Sequence, residues 1–325
     1  MKKVLSAIIC LLLVLLFAFP MGACSGPASS DDGLKVALML NGTINDASWN
    51  QSAYEGVKKM ESELGATIAY TENIKQNDKV QIMREYAKQG FDYIIGHGYD
   101  YEDAIVEVSK EFPDVKFVGV VTGCTGTNVA SVRFLYGQLG HCAGIIAANC
   151  TKTKQIGFIS AVDNENIRAD VNNLKKVVAE IDPAIKIVDV YTGDYNDINK
   201  AKEAALALID GGADVVIGTV DAGNVGVFQA AIEKNVMVMG WIQEQYDLGP
   251  NNILTSGVMD VAEMLFQAVK GFEENGFEGK EYKYGMVEGV QFLGKFSSLV
   301  PDDVKQKALD AQQQIIDGKL VVDTY

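Results

Sequence analysis

The sequence predicts an α/β protein built from two parallel-sheet lobes. From residue 35 onward, short apolar runs of strand length alternate with amphipathic stretches of helical length, the pattern of parallel βα units. The chain has 325 residues and is 48% hydrophobic, which suffices for two cores and excludes bulk disorder. The series of strands also divides near residue 135, and two similar lobes accommodate it better than one large doubly wound sheet.

Strands are predicted at Lys35–Leu40, Thr67–Glu72, Tyr93–His97, Lys116–Val121, Val129–Phe134, Gln155–Ser160, Ile185–Tyr191, Val215–Val220, Val236–Trp241 and Ile253–Val258. Helices are predicted over 49–64, 78–90, 101–112, 136–151, 165–180, 197–211, 224–234, 259–274 and 301–317. The clearest is the first, where Ala53, Tyr54, Val57, Met60 and Leu64 form an apolar stripe while Glu55, Lys58, Lys59 and Glu61 face outward.

The first residues read differently. Lys2 and Lys3 precede an apolar run from Ile8 to Phe19, too short to span a bilayer core, which needs roughly 20 residues. Met21-Gly22-Ala23-Cys24 follows, and small residues before a Cys match a bacterial lipobox. Residues 1–24 are therefore expected to be a lipoprotein signal peptide with Cys24 as the lipidation site, and 25–34 a flexible tether. The localisation expected is the cell membrane, lipid-anchored on the extracytoplasmic face.

The chain carries 28 Lys and Arg against 43 Asp and Glu, a net charge of −15. The leader contains two of those cations and none of the acids, so its removal leaves −17. Such acidity argues against nucleic acid as a partner. Cys124, Cys142 and Cys150 are odd in number and lack framework spacing, so they are expected to be buried free thiols.

In open α/β sheets a ligand sits beyond the carboxyl ends of the strands, so the cleft between two such lobes is the expected site. The loops there carry Asp46, Trp49 and Asn50 after the first strand, and His97 and Tyr99 at the end of the third. Tyr195 follows the seventh, Asp221 and Asn224 the eighth, and Trp241 and Gln243 the ninth. Aromatic, amide and carboxylate groups with almost no cation suit a planar, uncharged, hydrogen-bonding ligand, which rings stack upon and polar groups read at its edges. Asp46 and Ser48 are equally suited to cap the following helix. The two histidines do not make a zinc site, and the sequence has no nucleophile elbow and no phosphate loop. Neither catalysis nor a cofactor nor a metal is expected.

Asp46-Ala-Ser-Trp-Asn-Gln-Ser-Ala-Tyr-Glu-Gly56 is similar to the Asp-x-Ser-Phe-Asn-Gln-x-Ala-x-x-Gly signature of the basic membrane protein family, lipoproteins that serve purine and nucleoside ABC importers. Phe112–Phe117, Asn128–Ser131, Asp221–Ala231 and Pro301–Lys305 resemble the same family. The resemblance implies a type I periplasmic-binding-protein fold of two Rossmann-like lobes with three hinge crossings, near 134, 255 and 285. It places 35–134 and 256–280 in the N-terminal lobe, and 135–255 and 281–325 in the C-terminal lobe. It also implies a monomer that captures its ligand without chemistry and passes it to an ABC permease.

Two departures narrow the ligand. Nucleoside-binding members resemble Gly-Val-Asp-x-Asp-Gln after the ninth strand and Ser-x-x-Lys after the tenth, with the first Asp and the Lys on the ribose. Here these are Gly240-Trp-Ile242-Gln-Glu-Gln245 and Ser256-Gly-Val-Met259. A ribose hydroxyl facing Ile242 or Met259 loses a hydrogen bond, at a cost of about 1–3 kcal/mol each. With Trp49, Gly98-Tyr99 and Asp221, the chain looks like the adenine-binding branch of the family, which implies a purine or related nucleobase. The alternatives are a purine nucleoside receptor, a sugar or other small-metabolite receptor, and a sensor lipoprotein.

Overall fold

The computed structural model of the protein describes residues 33–46 and 48–324, so the expected leader, the lipidation site Cys24 and most of the tether lie outside the described residues. The chain begins with β1 (Lys35–Leu40), α1 (Trp49–Leu64), β2 (Thr67–Thr71), α2 (Lys79–Lys88), β3 (Tyr93–His97), α3 (Glu102–Val108), β4 (Lys116–Val120) and β5 (Val129–Phe134). It continues with α4 (Gln138–Cys150), β6 (Gln155–Ser160), α5 (Glu165–Ile181), β7 (Lys186–Tyr191), α6 (Ile198–Asp210), β8 (Val215–Thr219), α7 (Asn224–Lys234), β9 (Met237–Ile242) and β10 (Ile253–Met259). The last elements are α8 (Val261–Asn275), β11 (Glu281–Tyr284), β12 (Gln291–Leu293) and α9 (Asp302–Ile316).

Two six-stranded sheets result, ordered β11-β5-β4-β3-β1-β2 and β12-β10-β9-β8-β6-β7. All pairings are parallel except that of β12 with β10. Helices cover both faces of each sheet, which is why the central strands are apolar on both sides. In β1, Val36, Leu38 and Leu40 join the core made with Val57 and Met60 of α1 and Leu265 of α8. The alternate residues Ala37 and Met39 join the core beneath Met83 of α2 and Ile105 of α3. The second sheet repeats the scheme in β6, with Phe158 packed toward α4, α5 and α9, and Ile159 toward α6 and α7.

Strand pairing moves two of the expected lobe boundaries. β10 stays in the second sheet as far as Met259, opposite β9 and β12, so the chain crosses after 259 rather than at 255. β11 pairs with Ser131–Phe134 of β5, so residues 281–284 belong with the first sheet and the return follows Tyr284. α8 packs on α1 between these crossings. Neither β11 nor β12 was among the expected strands: Glu-Tyr-Lys-Tyr is half-exposed at a sheet edge, and β12 is three residues long. Both are strands because a neighbouring edge is available, which local periodicity does not reveal. Cys124, Cys142 and Cys150 are free and buried, as their spacing implied.

α4 and α5 pack closely enough that one position is fixed by backbone. A Cβ on Gly140 would lie 2.1 Å from the carbonyl oxygen of Asp170. That contact has no flexible side chain to yield. Gly140→Ala is expected to destabilise the protein by about 1–3 kcal/mol through overpacking, lowering the urea midpoint with the slope unchanged.

Candidate ligand-binding site

A cavity of about 220 Å³ opens between the carboxyl ends of the two sheets, and its wall is drawn from both lobes. Trp49, Asn50, Tyr99, Tyr195, Asp221 and Trp241 contribute to that wall. Asp46, His97, Asn224 and Gln243 do not, and the structure gives each of them a supporting place instead.

Asp46 secures the start of α1. Its Oδ1 accepts from the backbone N–H of Ser48 and Gln51 at 2.9 and 3.0 Å, and its Oδ2 from Asn50 N and Nδ2 at 2.9 and 2.8 Å. A carboxylate here satisfies helix N–H groups that have no intrahelical partner and suits the positive end of the helix dipole. Ser48, by contrast, makes no side-chain cap. Asn50 is held at both ends of its amide, because Oδ1 also accepts from Gly42 N at 3.3 Å. It forms wall but has little freedom to follow a ligand.

His97 lies wholly buried behind Trp49. Its ring stacks on the indole with centroids 4.4 Å apart and planes 23° apart, and Nε2–H donates to the Trp49 carbonyl at 3.0 Å. Burial pushes its pKa down to about 4, overriding the opposite pull of that carbonyl and of Asp46 and Asp100, so the ring is neutral. A neutral stacked imidazole holds the indole flat, with Phe134 6.5 Å away on a tilt. Tyr99 is more than half exposed at the mouth. Next to it, Asp100 is paired with the buried ammonium of Lys79 and accepts from Asn41 Nδ2 at 2.8 Å. Lys79 itself sits 4.2 Å over the Tyr101 ring.

In the second lobe, Asn224 is a buried brace. Its Nδ2 donates to Gly218 O at 2.9 Å and Gln245 Oε1 at 3.2 Å, while Oδ1 accepts from Val220 N. The brace fixes the turn that carries Asp221, whose φ of +41° is uncommon for any residue but glycine. Val121 and Ile242, which also face the cavity, hold φ of +53° and +72°. Three such residues at the ends of β4, β8 and β9 fit the tendency of backbone strain to gather at functional sites. Ile242 and Met259, whose neighbour Val258 pairs with Ile242 across β9 and β10, both line the cavity and make part of its wall apolar.

Sequence reasoning overlooked Tyr136, Asn164, Asn166 and Thr219 in the wall. Asn164 accepts from Ile167 N and so caps α5. The rule used for the other loops would have found it, since Asn164 and Asn166 follow the end of β6. Two contacts bridge the lobes beside the cavity: Gln243 Nε2 donates to Ser48 O at 3.0 Å, and Arg133 of β5 donates to Asn166 Oδ1. Arg133 is also paired with Glu281 at 3.0 Å.

Among the described residues of the wall there is no Lys or Arg. Asp221 has no hydrogen-bond or ion-pair partner among the described residues, and burial, with a smaller repulsion from Asp46, pushes its pKa up to about 8. Burial also raises the phenols of Tyr136 and Tyr195. What remains is a neutral slot with aromatic walls and one carboxyl open to a ligand.

Two α/β lobes that meet at a ligand-sized cavity beyond their strand ends define a solute-binding protein of the type I periplasmic-binding-protein fold. The chain belongs to the Bmp family, PnrA-like ABC transporter substrate-binding proteins, whose profile it matches over residues 34–324. It is 30% identical over 274 residues to the transcriptional activator protein med of Bacillus subtilis, covering 84% of this chain and 86% of that one. It is 25% identical over 298 residues to a purine-binding protein of Brucella abortus, covering 91% and 84% respectively. In fold it is similar to an ABC transporter solute-binding protein of Aeropyrum pernix, with a TM-score of 0.81 at 20% identity over 90% of this chain and 94% of that one.

Asp221 and Asp170 give the site a measurable pH signature. Asp170 is buried, accepts from Gly137 N and Gly140 N at 2.7 and 3.3 Å, and is pushed by burial up to about 7. Both carboxyls hold protons in the native state that the unfolded chain, with an ordinary value of 3.8, has already released. More protons on the native state means that stability falls as pH rises toward 8. His97 acts oppositely, but only below its ordinary 6.5, where the unfolded chain binds the extra proton. The melting temperature of the ligand-free protein is therefore expected to fall between about pH 6.5 and 8, and to fall less steeply in Asp221→Asn.

Proposed function

We propose that the chain is the extracytoplasmic substrate-binding protein of an ABC importer, anchored through Cys24 and capturing a purine or related nucleobase between its lobes. The observation that carries this reading is the cavity wall: indole and phenol rings of Trp49, Tyr99, Tyr136, Tyr195 and Trp241 surround a space with polar groups at its edges and no cation among the described lining residues. Flat heterocycles gain from stacking and from edge hydrogen bonds, whereas a phosphate would call for Arg or Lys. The name of the Brucella abortus relative agrees with a purine.

The apolar pair Ile242 and Met259 favours the base over its nucleoside. A ribose pressed against them would bury hydroxyls without partners. Trp49, stiffened from behind by His97, supplies the stacking face. Ligand contact with both lobes favours the closed arrangement, and the Gln243–Ser48 and Arg133–Asn166 bridges add to it. The closed monomer then docks on a permease, and the lipid keeps it near that partner. No chemical step is needed and no cofactor takes part.

Calorimetric titration with adenine, guanine, hypoxanthine, adenosine and guanosine tests the reading. Each base is expected to bind at least about tenfold tighter than its nucleoside, from the loss of one hydroxyl partner or more. A nucleoside that binds tighter than every base would overturn the base preference. Trp49→Ala is expected to weaken base binding by about tenfold or more, and unchanged affinity would reject the stacking role.

A further inference from the structure

We propose that Asp221 is a specificity-determining residue whose own proton decides which purine edge the cavity accepts. As a carboxylic acid it pairs with an edge that offers one donor beside one acceptor, as adenine does. As a carboxylate it pairs with an edge that offers two adjacent donors, as guanine does. The inference rests on the purine reading above and adds to it a mechanism of choice.

Most polar groups at the cavity are already engaged by the protein. Asp46 accepts four hydrogen bonds at the start of α1, Asp100 is bound to Lys79 and Asn41, and Asn50 is held at both ends of its amide. Asp221 lines the cavity with no hydrogen-bond or ion-pair partner among the described residues. A carboxyl engaged by the protein in this way has few lone pairs left for a ligand. An unengaged one takes whichever form its ligand favours.

Chemistry then separates the ligands. The acid can donate to a ring nitrogen and accept from the neighbouring exocyclic amine, completing both bonds with adenine. Its carboxylate would set an oxygen lone pair against that same nitrogen. With the ring N–H and exocyclic amine of guanine the order reverses, because two parallel N–H donors match the two carboxylate oxygens as a guanidinium does. The two complexes thus differ by one bound proton. Burial and the nearby Asp46 place the switch near pH 8, within reach of either ligand.

The surroundings leave Asp221 as the group that titrates against the ligand. Tyr136 at the first crossing and Tyr195 after β7 are kept neutral by burial, and His97 behind Trp49 is neutral down to about pH 4. Asp100 remains paired with Lys79. Asp170, which titrates near 7, acts on Tyr136 from α5 and is bound to backbone N–H groups. It is not among the groups that act on Asp221, where burial and Asp46 are the causes of the shift. At the φ of +41° held by Asp221, asparagine is among the residues best tolerated, so Asp221→Asn keeps the turn.

The test compares adenine and guanine affinities of the purified protein between about pH 6.5 and 8.5, read by quenching of Trp fluorescence or by calorimetry. The adenine-to-guanine affinity ratio is expected to fall about tenfold per pH unit, the slope of one proton, and about 100-fold over the range. In Asp221→Asn the fixed donor and acceptor of the amide suit adenine, so the ratio should stay in adenine's favour and be independent of pH. A flat ratio in the wild-type protein, or a slope that persists in Asp221→Asn, overturns the proposal while leaving the purine reading in place. Failure of the wild-type protein to bind either base overturns both.

Discussion

Parallel pairing is the constraint from which the site follows. A parallel strand must be followed by a return over the sheet, so each carboxyl end opens into a loop on the same edge, and successive loops gather there. In both sheets that edge faces the cavity: Gly42 follows β1, Tyr99 follows β3, Asn164 follows β6, Tyr195 follows β7 and Asp221 follows β8. Residues scattered over 180 positions of sequence meet because strand direction leaves them no other edge. At the three crossings Phe134 and Tyr136, Met259 and Val261, and Met286 and Val290 are buried in one apolar core that the two lobes share.

Within that frame the site divides into groups that hold shape and groups left open. Asp46, His97 and Asn224 lie behind the wall, where each fixes the backbone or ring of a residue that faces inward. Asp46 and Asn224 are satisfied by the protein, and His97 is held through its Nε2 while its buried Nδ1 has no partner among the described residues. Asp221 is the exception. A half-buried carboxyl without partners raises the free energy of the empty cleft as pH rises, and a ligand that supplies hydrogen bonds relieves that penalty. The same feature that weakens the empty protein thereby favours its occupied form.

β1 and β3 were legible because both faces are buried and the residues form unbroken apolar runs. α1 was legible from its stripe. Trp49, Asn50, Tyr99, Tyr195 and Asp221 were reachable because they follow strand ends, Trp241 because it lies next to the end of its strand at that edge, and Asn164 and Asn166 were reachable by the same rule. Asp46, His97, Asn224 and Gln243 also stand near strand ends, yet direction of the side chain separates wall from support. That direction depends on hydrogen bonds to partners distant in sequence, such as Gln243 with Ser48 and Asn224 with Gln245.

The sequence by itself determined the α/β class, the order of the main strands and helices, the chemical character of the cleft and the apolar replacements at Ile242 and Met259. These are local properties of periodicity and residue type, readable wherever a strand or helix has its own pattern. Only the tertiary structure decided that β11 completes the first sheet, that the chain crosses after Met259, and that Asp221 is left without a partner. Sheet membership and hydrogen-bond satisfaction are settled between segments far apart in the chain. Many of the acids so plain in the composition are paired with Lys or Arg, whereas Asp221 faces the cavity with no partner among the described residues.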